Sequence, residues 1–300
     1  MKERKFYAFV AVIVLVLLFS AYWLIPFSTK EFNSSSNFSL NASENNSLQY
    51  YQNMRFTNPN IAYKIENCSL RRANDMKYAF DIMSEETMLD FYAVEYGQEI
   101  IITCEDTIEI QGNLFTAGEG GPTNVSRVGD FNVIESGKIL LLKDSNCANP
   151  NIAIHELLHV LGFNHSTNPQ NIMYPISKCE QTIGDDMIEL INNVYSISNK
   201  PDLIFENATV LMRGKYLDVT YTIRNNGLKY SSYSVLKILV DGKQVEEISI
   251  PPMDIGYGRE GYVKNLLIKQ IDIKNIELTI ENKFEELNKT NNIISFEIKK

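Results

Sequence analysis

The chain has only three histidines, and all of them fall in His155-Glu156-Leu157-Leu158-His159-Val160-Leu161-Gly162-Phe163-Asn164-His165. Imidazoles four positions apart on a helix turn through about 400°, so His155 and His159 project from one face and can share one ion. Gly162 then ends the helix. Glycine takes positive φ at low steric cost, which lets the chain swing back and offer His165 as a third ligand. Three neutral imidazoles leave the fourth position of a zinc ion open for water, the arrangement of a catalytic rather than a structural site. Glu156, beside the first ligand, can accept a proton from the zinc-bound water and later deliver it to a leaving amine. The chemistry is metal-activated hydrolysis. A structural zinc and a metal-free histidine cluster compete with this reading, but three ligands suit the first poorly and the second leaves ring nitrogens unpaired.

Asn171-Ile172-Met173-Tyr174-Pro175 follows the third histidine. With HELLHVLGFNH upstream, it resembles the metzincin metalloproteases, and Ser166 with the Met-Tyr-Pro turn is most similar to their matrixin branch. The resemblance implies one catalytic Zn2+ held by His155, His159 and His165, Glu156 as general base, Met173 as the hydrophobic floor of a Met-turn, and a protein or peptide substrate. Two departures stand out. Leu158 occupies a position where matrixins usually have glycine, and no second histidine group exists for an additional structural zinc. The prodomain cysteine-switch pattern of many matrixins is also absent.

The elements that must position these residues are legible on either side. Pro59–Asn67 alternates around Ile61, Tyr63 and Ile65 as a strand, and Leu70–Met88 carries Ala73, Met76, Ala79, Phe80 and Met83 at helical spacing. Leu89–Val94 and Glu99–Cys104 read as strands, and Ile139–Leu142 as a strand buried on both faces. The zinc helix begins near Pro150, and a further helix runs from Gly184 to about Tyr195 with Met187, Ile188, Ile191 and Val194 as its apolar stripe. The glycine-rich stretch Thr116–Thr123 lacks a Walker lysine and reads as a loop leading to an edge strand over the cleft; in metzincins that strand pairs with extended substrate. Glu119 and Asp130 are candidate calcium ligands, although isolated loop acids are usually only solvated.

The amino terminus gives an address. Lys2, Arg4 and Lys5 precede the apolar run Phe6–Phe27, long enough to span a bilayer, and the positive flank predicts a cytoplasmic amino terminus with the bulk of the chain outside. Cleavage near Ser20-Ala21, giving a secreted protein, is the alternative. The Asn/Ser-rich residues that follow read as an unfolded stalk with glycosylation sequons at Asn33, Asn37, Asn41 and Asn45. Further sequons include Asn164, inside the histidine motif, where a glycan would crowd the cleft. Four cysteines fit an oxidising exterior and allow three pairings; the reading taken is Cys147 with Cys179, closing a loop around every zinc ligand and worth roughly 3 to 4 kcal/mol, and Cys68 with Cys104.

Composition shifts at about Lys200-Pro201 to seven short β-rich segments with an Asp241-Gly242 hairpin signal, suiting an immunoglobulin-like sandwich. Its Asp202-Leu203 entry, Ile223–Gly227 and Asn288–Asn292 resemble cell-adhesion-related domains of prokaryotic surface proteins, implying a cell-surface or glycan partner; a plain spacer is the rival reading. A formal charge of −9 argues against nucleic acid or an anionic membrane surface as partner. The expected fold is α+β: a zincin-like domain of twisted mixed sheet and long helices, then an all-β sandwich, behind an amino-terminal transmembrane helix. The expected division is a cytoplasmic stub (1–5), anchor (6–27), stalk (28–55), protease (56–199) and sandwich (200–300). The function expected is that of a membrane-anchored extracytoplasmic zinc endopeptidase, with an adhesion protein carrying a weakly active or single-substrate zinc domain as the alternative.

Overall fold

Alternation and helical periodicity sort the chain into two cores in the computed structural model, which describes residues 48–106, 110–111, 114–144, 147–270 and 272–297. The expected transmembrane segment and most of the stalk lie outside the described residues. Among the described residues no helix is long and apolar enough to cross a membrane.

The first core begins with β1 (Met54–Phe56), β2 (Asn60–Glu66) and α1 (Leu70–Glu86), followed by β3 (Asp90–Ala93) and β4 (Ile100–Cys104). Helix α1 starts where the Ser69 hydroxyl accepts the Arg72 N–H, and buries Met76, Ala79, Phe80 and Met83. Two short strands, β5 (Ile110–Gln111) and β6 (Leu114–Phe115), pair with each other before β7 (Gly118–Val128) and β8 (Phe131–Leu141) form a long hairpin. The sheet runs β1-β8-β4-β2-β3, parallel throughout, with β7 antiparallel on the other side of β8. It is therefore mixed. Helix α2 (Asn151–Val160) crosses it, and α3 (Asp185–Tyr195) closes the domain through Met187, Ile191, Val194 and Tyr195.

Two expectations need correction here. The glycine-rich stretch expected to be a loop is the first part of strand β7; its glycines serve a close approach to α2 described below. Residues 48–55, assigned to the stalk from their polar neighbours, are part of the fold: β1 pairs with β8, and Gln49 bridges to Phe163. Arg55 in β1 is 1% exposed. Among the described residues no carboxylate forms an ion pair with it. Its guanidinium instead donates to the carbonyls of Phe56, Thr57, Val194 and Ile197, at 2.6–3.2 Å, and lies 4.6 Å from the Tyr195 ring centroid. It thus caps the carboxyl end of α3 with charge-assisted bonds. Arg55→Met, which keeps the apolar stem, is expected to lower unfolding free energy by about 2–4 kcal/mol, read from the urea midpoint, because buried carbonyls lose their donors.

The second core contains all seven expected strands: β9 (Leu203–Arg213), β10 (Tyr216–Asn225), β11 (Ser234–Val240), β12 (Lys243–Ile250), β13 (Gly258–Leu267), β14 (Asn275–Glu281) and β15 (Ile293–Glu297). They form sheets β13-β10-β9 and β12-β11-β14-β15. Alternation is clean in β11 and β14, whose inward Leu236, Ile238, Val240, Ile276, Leu278 and Ile280 are nearly inaccessible. Asp241 (φ 47°) and Gly242 (φ 79°) make the hairpin turn. One end of the sandwich sits on the first domain: Val128, Phe131 and Val133 of the β7–β8 hairpin pack with Leu228, Ile255 and Leu287.

Candidate active site

Helix α2 carries His155, Glu156 and His159 on a segment buried along almost its whole length, as an all-round apolar sequence requires. Leu158, the departure from the usual small residue, is fully buried in the same core. The helix stops at Gly162, whose φ of 93° turns the chain. A side chain there would also collide with Met54, so both conformation and packing demand glycine.

The turn brings His165 back to the other two. The three Nε2 atoms lie 3.1, 3.1 and 3.3 Å apart. Tetrahedral ligands about 2.05 Å from one zinc ion would be separated by about 3.3 Å, so the donor set fits that ion. Carbonyls fix the tautomers. His155 Nδ1 lies 2.6 Å from the Ile172 carbonyl and His159 Nδ1 lies 2.8 Å from that of Phe163. A carbonyl only accepts, so both Nδ1 atoms carry hydrogen and both Nε2 lone pairs face the common centre. Burial depresses the basicity of all three rings, taking His159 down to about 3, with His155 as the next cause. The imidazoles are thereby kept neutral and ready to ligate. Among the described residues this is the one His/Cys/Asp/Glu group assembled to hold an ion.

Met173 is fully buried, its N–H bonded to the Asn171 side chain and its carbonyl to the Ser166 N–H. The Met-turn and the third histidine's loop are thus tied together. Disulfide Cys147–Cys179 brackets the whole segment, and Cys68–Cys104 joins the ends of β2 and β4.

Glu156 is 5% exposed, and burial, then the charge of Glu119, push its carboxyl up to about 8 in the metal-free site. Strand β7 lies directly against it. A Cβ on Gly118 would meet Glu156 Cγ at 2.8 Å, and one on Gly120 would overlap the Glu156 backbone, whereas one on Gly121 would meet nothing within 4 Å. Glycine at 118 and 120 is what lets the strand and the general-base candidate share this space. Gly120→Ala is expected to cost about 1–3 kcal/mol of stability and to lower kcat/KM at least about tenfold by pushing β7 off α2, while Gly121→Ala leaves stability unchanged. Urea unfolding and initial rates on one peptide measure both. Glu119 stands beside Glu156 at one end of β7, and Asp130 lies in the turn past the other end, so the fold does not unite the two candidate calcium ligands.

Tyr50 was not legible as a site residue. Its hydroxyl lies 2.8 Å from His159 Nδ1, and the two rings are nearly parallel, with an interplanar angle of 16° and centroids 6.1 Å apart. Burial, then Glu156, push its phenol up to about 12, so it stays neutral.

Residues 55–196 match the matrixin family model, and residues 200–296 match the CARDB model. No curated protein matches the chain. Among solved structures, it is similar to the CARDB domain of a Pyrococcus furiosus protein crystallised with di-metal ions, at 16% identity and a TM-score of 0.29, covering 33% of this chain and 87% of that one. High choriolytic enzyme 1, a hatching enzyme zinc-protease of the medaka Oryzias latipes, is 19% identical with a TM-score of 0.25, over 36% of this chain and 46% of that one. Archaemetzincin from Methanopyrus kandleri is 10% identical with a TM-score of 0.31, over 47% and 97%. The histidine geometry and the matched family agree, and the chain carries a matrixin domain, the catalytic module of a zinc metalloendopeptidase, joined to a CARDB domain.

Proposed function

We propose that the protein is an extracytoplasmic endopeptidase, anchored in the membrane by residues 6–27, in which His155, His159 and His165 hold one zinc ion and Glu156 is the general base. The convergence of three histidine Nε2 atoms beside a buried carboxylate carries this reading. Zinc, when bound, supplies Lewis acidity toward the scissile carbonyl and acidifies water. Glu156 takes the proton from the attacking water and hands it to the departing amine; its enclosure by Gly118 and Gly120 keeps the carboxylate in one place for both transfers. Among the described residues β7 pairs only with β8, which leaves its outer edge for an extended peptide to join by backbone hydrogen bonds. Fully buried Met173 is the hydrophobic floor beneath the metal.

The CARDB match supports an adhesive or positioning role for the sandwich. Its contact with the hairpin tip steadies the far end of the strand proposed to receive substrate. Metal analysis of the purified full chain tests the ligand assignment: about one zinc per chain is expected, falling to near zero in His159→Ala. Alkaline carbonate extraction of membranes tests the anchor. Release of the full-length chain into the soluble fraction would rule the anchor out.

A further inference from the structure

The segment just before the matrixin domain forms a strap over the histidine motif. Asn164 N–H donates to the Leu48 carbonyl and Tyr50 N–H to the Gly162 carbonyl, both at 2.8 Å, with Gln49 bridged to Phe163 between them. The strap is anchored in its own right. Buried Gln49 accepts the Met54 N–H at 3.1 Å and donates to the Met54 carbonyl at 3.0 Å, and Met54 packs on the face of Gly162 where a Cβ would be. Residues 48–54 therefore clasp the turn that returns His165 to the site.

Tyr50 is the strap's side chain on that site. His159 Nδ1–H already donates to the Phe163 carbonyl, so the Tyr50 oxygen, at the same 2.8 Å, is a second acceptor for one proton. Two acceptors on opposite residues hold the ring against rotation about its bond to Cβ, and they enrich the electron density at Nε2. His155 Nδ1, by contrast, faces the Ile172 carbonyl.

We infer that Tyr50 is a positioning residue for zinc: through the strap it sets the orientation and donor strength of His159. The inference rests on the triad being the zinc site. Tyr50→Phe keeps the ring and its packing while deleting the oxygen. In the full chain it is expected to weaken zinc affinity about tenfold, with faster release to a chromogenic chelator, and to shift the visible bands of the cobalt-substituted protein. The unfolding midpoint of the metal-free protein is expected to stay at the wild-type value. Tyr50→Ala is expected to weaken zinc at least as much and also to lower that midpoint. Wild-type zinc release and cobalt bands in Tyr50→Phe would overturn the proposal, as would a loss of metal-free stability with zinc affinity intact. A wild-type chain that takes up no zinc would overturn the triad reading and this proposal with it.

Discussion

Glu156→Gln is expected to lower kcat on a peptide substrate by about 10²- to 10⁴-fold, with zinc content and KM close to wild type. The amide matches the carboxylate in size, so the space left by Gly118 and Gly120 remains filled and β7 keeps its place against α2. The histidine ligands are untouched. What disappears is proton acceptance: glutamine has no basic oxygen at neutral pH, and the neighbouring carboxylate, Glu119, is exposed on β7. Metal analysis and steady-state kinetics on the same preparation separate the possibilities. A variant that has lost zinc along with activity would point to a structural role for Glu156, and one with normal kcat would remove it from the chemistry.

The second large effect is expected from zinc withdrawal, which should abolish hydrolysis and lower stability by about 2.7 kcal/mol when the protein starts in zinc at 100 times its Kd. Stability of the metal-free fold should depend on pH through two opposing sources: the three histidines, whose basicity burial depresses below the ordinary 6.5, make it rise with pH up to about that value, and Glu156 works the other way. Its carboxyl sits at about 8 in the metal-free fold against an ordinary value of 4.5, so between these values the folded chain holds a proton that the unfolded chain releases. This contribution to stability is present below about 4.5 and is lost as pH rises toward 8. A bound cation offsets the buried negative charge, so the Glu156 part of the slope should be smaller in the zinc-loaded protein. Urea unfolding of metal-free wild type and metal-free Glu156→Gln at several pH values is the check. Through this window stability should fall less, or rise more, with pH in the variant than in wild type; equal slopes would show that Glu156 contributes nothing to it.

The catalytic part of this architecture was legible because its chemistry is local in sequence. His155, Glu156, His159, Gly162 and His165 lie within one helix and the turn after it, and their residue types alone restrict what they can do. The sandwich was legible for a different reason: β10 and β14 alternate strictly, so their ends appear in the sequence. The failures share a cause, which is dependence on partners distant along the chain. Gly118 and Gly120 look like loop residues until Glu156 is seen occupying the space of their missing side chains. Arg55 looks solvent-facing until four carbonyls surround it. Tyr50, next to an Asn/Ser-rich tract, gives no local sign that it meets a residue 109 positions later.

The central claim is endopeptidase chemistry driven by this triad and Glu156, and product mapping tests it most directly. The full chain, with its Tyr50 strap intact, would be incubated with a diverse peptide library beside Glu156→Ala and a chelator-treated sample, and the new termini read by mass spectrometry. Internal cuts that vanish in both controls are the predicted result. Cuts that persist in Glu156→Ala, or a folded and zinc-loaded wild type that makes none, would contradict the account.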